Sequence, residues 1–334
     1  MKFNIARQPL VPAFLTLVAI TALAMWRIPI AGQIQPADLA IPTRGQLAIP
    51  TIEELLAQFQ AYRPVWARLV GGMLMLFTGM SLGRLTLRYN LYSVGTCLAI
   101  PFYATLTTAL VAGGSLLTPL LAAALLTLSV KNFARSYCNG YGFDALFRAS
   151  FYLGLMLLVF PAALALIALV PLAIIRFHRT LREAAVALTG LLLPLLAFGY
   201  VNWGAGGELL DPCRLAVEAF TEGSALETAS QLGIPKLAAL GTILLFDLAA
   251  IFVFLSDSYA AGNRSRAIFS FEIGVLVLLV PTLLNPVATP AAITLFAVPS
   301  AVIIPFLVVR VHHLAAFIIY TILVAGSVAL LFLQ

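Results

Sequence analysis

The sequence predicts an all-α protein, a polytopic bundle of transmembrane helices that forms a single transmembrane domain over residues 1–334. Of the 334 residues, 62% are hydrophobic and only 10% are charged, whereas about 25% of the residues of a soluble domain are charged. Apolar segments of roughly 17–25 residues, the length that crosses a bilayer as a helix, recur along the whole chain. The residue alternation of a transmembrane β-barrel is absent. We therefore expect the chain to lie in a membrane.

About eleven spans are predicted from the minimum length needed to cross a bilayer. One pair is unusual, because two crossings and a turn at Phe160-Pro161 must fit within 144–177. At 1.5 Å per residue each leg reaches only ~25 Å, less than the ~30 Å hydrocarbon core. That segment is predicted to form either two short spans or a re-entrant hairpin. The approximate cores of the spans are 10–26, 65–83, 91–112, 115–130, 144–160, 162–177, 184–203, 237–255, 268–284, 289–309 and 314–333.

The connections between the spans predict an orientation, because one alternate set is basic and the longer loops of the other set are acidic. Cytoplasmic connections of membrane proteins carry an excess of Lys and Arg. We therefore expect the N-terminus in the cytoplasm and the C-terminus outside. The net charge of +6 is interpreted as an orientation signal and not as a nucleic-acid interface. Ala22-Leu23-Ala24 resembles a signal-peptidase site, but the many spans that follow favour an uncleaved signal anchor.

Two outer loops are long enough to contain short helices. In the loop 27–64, Thr51 and Glu54 match a capping box, and the following apolar face predicts an amphipathic helix near 52–61 on the membrane surface. In the loop 204–236, Asp211-Pro212 predicts the start of a second short helix. Neither loop is large enough for a separate folded domain.

Three charged residues are predicted to lie within spans. Asp247 is ten residues before Asp257, or ~15 Å of helix, which places it near the bilayer midplane. An ionised carboxylate there costs several kcal/mol, so Asp247 is interpreted either as a working residue or as a protonated hydrogen-bonding group. Glu272 is nearer an interface, where a structural role beside the arginines of its own end is favoured. Arg68 is the candidate counter-ion from outside, and an interfacial anchor is its alternative role.

A basic group on the cytoplasmic side could hold a lipid phosphate, although the positive-inside rule alone also explains it. No metal site is predicted, because the three histidines lack a metal-ligand spacing and the three cysteines are far apart. No nucleotide fingerprint is visible, so no cofactor is evident. The basic group consists of Arg176, His178, Arg179 and Arg182.

The segment 115–203 carries a resemblance to known proteins. It includes LLAAALLTLSVKNFARS, FRASFYLGLMLLVFPAALALIALVPLAIIRFHRTLREAAVAL and TGLLLPLLAFGYVNW. It resembles an uncharacterised family of bacterial multi-pass inner-membrane proteins and, more distantly, is similar to membrane glycosyltransferases that use polyprenyl-phosphate sugars. The resemblance implies a bacterial inner-membrane location. It also implies that an acidic residue of the first outer loop acts as a base or binds a metal, which here would be Asp38, or else Glu53 or Glu54.

Three classes of function remain open. The first is the handling of a lipid-linked (polyprenyl-type) or lipid substrate at the outer face, with Asp38 as the catalytic residue. In that case membrane lipids and a lipid-linked sugar are partners, and an enzyme of this kind would be a glycosyltransferase-like transferase. The second is an ion- or proton-coupled transporter that uses Asp247. The third is a non-catalytic subunit of a membrane complex. The lipid-linked substrate is ranked slightly first.

Overall fold

The structure, a computed structural model, describes seven segments of the chain, and their regular secondary structure is helical. The described residues are 7–28, 47–111, 116–138, 142–221, 225–257, 262–283 and 290–333. The α-helices are α1 Leu10–Arg27, α2 Ile52–Tyr62, α3 Pro64–Arg88, α4 Ala99–Leu110, α5 Leu117–Cys138, α6 Phe143–Val159, α7 Leu169–Arg176, α8 Leu181–Gly204, α9 Asp211–Thr221, α10 Ala225–Ser256, α11 Asn263–Leu283, α12 Ala297–Arg310 and α13 His313–Leu333. Two 3₁₀ segments, Pro161–Ala168 and Pro290–Phe296, precede α7 and α12.

Within these residues, eight helical segments are long and apolar enough to cross a membrane. They belong to α1, α3, α5, α8, α10, α11, α12 with its 3₁₀ segment, and α13. Large apolar side chains on the outer surfaces of α1, α8, α10 and α13 are exposed, as expected of helices that face lipid. The prediction of an all-helical, membrane-type bundle is therefore confirmed, and a helix covers at least part of each predicted span.

Contacts between connecting segments define two ends of the bundle. At the first end, where α1 begins, the amide of Cys97 donates to the carbonyl of Gln8 (3.1 Å). At the second end, where α1 finishes, the guanidinium of Arg27 lies 4.3 Å from the ring centroid of Phe332 in α13. The beginning of the first helix and the end of the last one therefore lie at opposite ends of the bundle.

All three tryptophans of the chain lie at the second end. Trp26 closes α1, Trp66 opens α3 and Trp203 is near the end of α8, and each of them is exposed. Tryptophan prefers the membrane–water interface, where its ring contacts both lipid and water. The three side chains therefore indicate where one interface of the bilayer crosses the bundle.

Two helices, α4 and α12, form the centre of the bundle. Every residue of α4 is buried, and α12 is buried from Ala297 to Val308. The 12 residues of α4 cover only ~18 Å, but a helix enclosed by protein does not need to match the hydrocarbon thickness.

The predicted span 91–112 is wrong at its beginning. Residues 91–98 are irregular, and helix α4 starts only at Ala99. Shortly after the end of α3, Asn90 has a φ of 46°, which is not helical. The residues YSVGT at 92–96 are poor in strong helix formers. The irregular segment is stabilised by tertiary hydrogen bonds: the Tyr92 hydroxyl donates to Val302 (2.8 Å) and Ser265 donates to Leu91 (2.9 Å).

The segment 144–177 forms a hairpin whose second leg is stretched. Its first leg is α6, with 17 residues, and its second leg is the 3₁₀ segment of 8 residues followed by α7, also of 8 residues. A 3₁₀ helix rises about 2.0 Å per residue, so the second leg reaches ~28 Å, against ~24 Å for 16 residues of α-helix. The local helix type therefore offsets most of the shortfall in length.

Glycines allow several helix pairs to approach closely. In the Gly79-x-x-x-Gly83 motif, a Cβ at Gly79 would meet Leu17 and Tyr103, and one at Gly83 would collide with Ile100. These contacts show that the motif serves close helix packing. Between α6 and α8, a Cβ at Gly154 would collide with the carbonyl oxygen of Leu191.

We expect Gly154→Ala to destabilise the bundle by about 1–3 kcal/mol, because neither backbone of this contact can yield cheaply. Gly241→Ala is the matched control, since a Cβ there meets nothing within 4 Å. Thermal unfolding of both purified variants in the same detergent checks the prediction. Equal midpoints would show that the close approach of α6 and α8 is not a packing constraint.

Candidate functional site

The first element of the candidate site is α2, at the second end. Thr51 and Glu54 form the predicted capping box: the amide of Glu54 donates to Thr51 Oγ1, and the amide of Thr51 donates to Glu54 Oε2 (3.2 Å each). Farther along α2, Gln60 Oε1 accepts hydrogen bonds from the amides of Leu116 (2.9 Å) and Leu117 (3.3 Å), where α5 begins. The capping box thus closes the start of α2 locally, and Gln60 fastens its last turn to the start of α5.

The two acidic residues of α2 have different environments. Glu54 is occupied by the capping box, which uses its carboxylate oxygen. Glu53 is half-buried, and burial raises its pKa to about 7, with a smaller contribution from the neighbouring charge of Glu54. A carboxyl group with such a pKa exchanges protons near neutral pH, which is the property required of a general acid or base.

A single buried side chain joins the two long segments of the second end. Asn202, near the end of α8, is fully buried. Its Oδ1 accepts a hydrogen bond from the amide of Ala48 (2.9 Å), and its Nδ2 donates to the carbonyl of Glu208 (2.9 Å) and to Asp211 Oδ2 (3.0 Å). Asp211 also accepts from the amide of Glu208 (2.7 Å) and begins α9, as its sequence predicted. Asn202 thus connects the residues before α2 with the residues around the start of α9, and we call this connected part of the second end the layer.

Asp38, the predicted catalytic residue, lies outside the described residues. Its loop is described again from Leu47 onward, and the contact between Ala48 and Asn202 fixes that part of it. The sequence did not single out Asn202. The available signal was an amide side chain inside the apolar segment that ends at Trp203, where an unpaired polar group is costly.

The intramembrane residue Asp247 is completely buried in α10. Its Oδ2 accepts a hydrogen bond of 2.6 Å from Ser300 Oγ in α12, and its Oδ1 has no hydrogen-bond partner among the described residues. Ten residues farther along both helices, Arg310 pairs with Asp257 (2.7 Å). Helices α10 and α12 therefore run in the same direction and in register, with these polar pairs ~15 Å apart.

The expected ion pairs of the intramembrane charges are not formed in the described part of the chain. Asp247 interacts with Ser300, and not with Arg68 as a counter-ion. That prediction is wrong, because α10 packs on α12, whose nearest polar group is a hydroxyl. Glu272 in α11 is fully buried, and neither of its carboxylate oxygens has a hydrogen-bond partner within the described segments. Arg68 is only partly buried near the start of α3, which fits the anchor that was its alternative role.

The predicted basic group at 176–182 is divided by the structure. Arg179 pairs with Glu183 (3.1 Å), and both side chains are almost fully buried. Arg179 also donates to the carbonyl of Ser136, at the end of α5. This arginine therefore fastens α8 to α5, and it is not available for a lipid phosphate. Arg176, His178 and Arg182 are exposed.

No group of three His, Cys, Asp or Glu side chains suited to a metal ion occurs within the described segments. Comparisons of the chain with family models, with curated proteins and with solved structures give no match. The chemistry of the site must therefore be argued from the side chains themselves.

Proposed function

We propose that the protein handles a lipid-linked, polyprenyl-type substrate in a bacterial inner membrane, at the face formed by its second end. The assembled layer at that end is the observation that supports this best. Asn202 joins the two long segments, α2 lies beside them, and Glu53 supplies a carboxyl group with a pKa of about 7. The tryptophans at the same end indicate that this layer lies at a membrane interface.

The proposal includes an orientation: about eleven crossings, with the first end in the cytoplasm and the C-terminus outside. The start of α1 and the end of α13 lie at opposite ends of the bundle, which supports an odd number of crossings. Single cysteines at the exposed positions Ala205 and Asn263, in a background without the three native cysteines, test the orientation. We expect a membrane-impermeant maleimide to label Ala205→Cys in intact cells and to reach Asn263→Cys only after lysis. The reverse pattern would refute the orientation.

The proposed reaction is transfer of the lipid-linked group to an acceptor hydroxyl. Glu53 in its ionised form takes the proton of the hydroxyl as the hydroxyl oxygen forms the new bond. The bond between the transferred group and the lipid phosphate breaks, and the phosphate leaves with the electron pair. Positioned general-base catalysis of this kind contributes roughly 10²–10⁴-fold to a rate. Asp38 belongs to the same loop and is the alternative base.

We expect Glu53→Gln to reduce product formation by roughly 10²-fold, while Glu54→Gln retains activity because glutamine also completes a capping box. Because the base must be ionised, wild-type activity should rise between pH 6 and 8, through the pKa of about 7. Both are measured as sugar transfer from polyprenyl-phosphate donors in proteoliposomes. If neither Glu53→Gln nor Asp38→Asn lowers product formation, the proposed function is wrong.

A second candidate function, ion- or proton-coupled transport, is favoured by one observation. Asp247 is fully buried, ~15 Å from the Asp257–Arg310 pair, and one of its carboxylate oxygens is unpaired among the described residues. A carboxyl group at that depth that is not held by a counter-ion can bind and release a proton or cation.

For this second function, Asp247→Asn should abolish substrate-coupled proton or cation flux in proteoliposomes, since the amide cannot carry the charge. Asp257→Asn makes the same chemical change ten residues away on the same side of the bundle and should leave measurable flux. Coupled flux at the wild-type level in Asp247→Asn would exclude Asp247 as the coupling residue.

A further inference from the structure

A pocket at the first end gathers four positive side chains. It lies between the last turns of α3 and α5, which both run toward this end. The concavity has a volume of about 60 Å³, well below the ~300–1,000 Å³ of sites for drug-sized ligands, so only a small group can enter it. Its lining residues are Arg84, Leu85, Arg88, Tyr89, Lys131, Asn132 and Arg135.

The four cations of the pocket lie close enough together to repel one another. Arg84 and Arg88 are four residues apart on α3, and Lys131 and Arg135 are four residues apart on α5, a spacing at which like charges on a helix repel. Lys131 is within electrostatic reach of all three arginines. Holding these cations together therefore has a cost in free energy that a bound anion would offset.

Two other arginines at the first end form ion pairs with carboxylates of the protein itself. Arg148 pairs with Asp144 (2.8 Å) and Arg310 pairs with Asp257 (2.7 Å). None of the four cations of the pocket forms an ion pair with a described carboxylate, and no acidic residue lines the pocket. The positive-inside rule requires basic residues near this face, but it does not require them to converge on one concavity that no described carboxylate lines.

We propose that this pocket binds a phosphate group with more than one negative charge, such as a phosphomonoester or diphosphate headgroup. Arginine and lysine side chains bind phosphate oxygens through charge-assisted hydrogen bonds. Tyr89 and Leu85 provide an aromatic and an apolar wall beside the cations, which suits a group carried by a lipid at the membrane surface. The site is at the opposite end from the proposed reaction and does not depend on it.

The test compares two double substitutions that remove the same charge. Arg84→Gln with Lys131→Gln alters the pocket, whereas Arg148→Gln with Arg264→Gln alters exposed cations of the first end outside it. Binding to the purified full chain is measured at low ionic strength, with phosphatidylcholine nanodiscs that contain phosphatidic acid and, separately, with soluble pyrophosphate. The two probes distinguish a lipid headgroup from a free phosphate compound.

We expect the pocket variant to bind at least one of the probes tenfold or more weakly than the wild-type protein, and the control variant to bind it normally. Binding of phosphatidic acid alone would identify a lipid as the source, and binding of pyrophosphate would identify a soluble phosphate compound as a further source. Equal losses in both variants, or no binding of either probe by the wild-type protein, would overturn the proposal.

Folding of the pocket variant can be checked independently of binding. Because Arg84 and Lys131 repel their neighbours, we expect their joint replacement to leave the thermal midpoint without anion unchanged or raised. Phosphatidic acid should raise the midpoint of the wild-type protein and of the control variant, but not that of the pocket variant. A marked fall of the midpoint without anion would mean that the cations stabilise the fold, and would contradict the proposal.

Discussion

The enclosure of α4 and α12 by other helices is the constraint on which the rest of the bundle depends. Because their surfaces are buried nearly all round, neither helix contacts lipid, and hydrogen-bond partners for polar groups there can come only from the protein. Thr105 donates back to the carbonyl of Phe102 (2.9 Å), and Val302 accepts from Tyr92 (2.8 Å). The surrounding helices direct large apolar residues outward. Lipid tails are as apolar as these side chains, so close packing on the central pair, and not the hydrophobic effect alone, holds the bundle together.

Asp247 is buried against the enclosed helix α12, so its carboxyl group is shielded from water. Its hydrogen bond from Ser300 joins α10 to the enclosed helix α12. A hydrogen bond to a charged group contributes about 1.5–3 kcal/mol, whereas burial of an ionised carboxylate at the centre of a bilayer costs at least about 2.5–3.5 kcal/mol and by some measures several times more. Ser300 thus offsets only part of the cost. Protonation of the carboxyl group would remove the remaining cost and leave the contact between α10 and α12 in place.

The sequence predicted the local features of this fold and missed those that depend on distant residues. The positions of the long helices could be predicted from the lengths of the apolar segments. The capping box at Thr51 and the start of α9 at Asp211 could be predicted from short motifs. The start of α4 could not, because residues 91–98 are held by hydrogen bonds to Ser265 and Val302, more than 150 residues away in the chain. The partner of Asp247 depended on which helices pack together. Similarly, the basic group at 176–182 was clear in the sequence, but the pairing of Arg179 with Glu183 and Ser136 removes its central member.

The two ends of the bundle carry different chemistry, and one helix connects them. The second end presents α2 with Glu53, and Gln60 fastens α2 to the first residue of α5. The other end of α5 supplies Lys131 and Arg135 to the cationic pocket. The 22 residues of α5 span ~33 Å, about the thickness of the hydrocarbon core. Since an α-helix moves as a rigid element over such a length, a displacement of α5 along its axis would alter α2 and the pocket together. A multiply charged anion bound between α3 and α5 would oppose that displacement, because it holds cations of both helices at once.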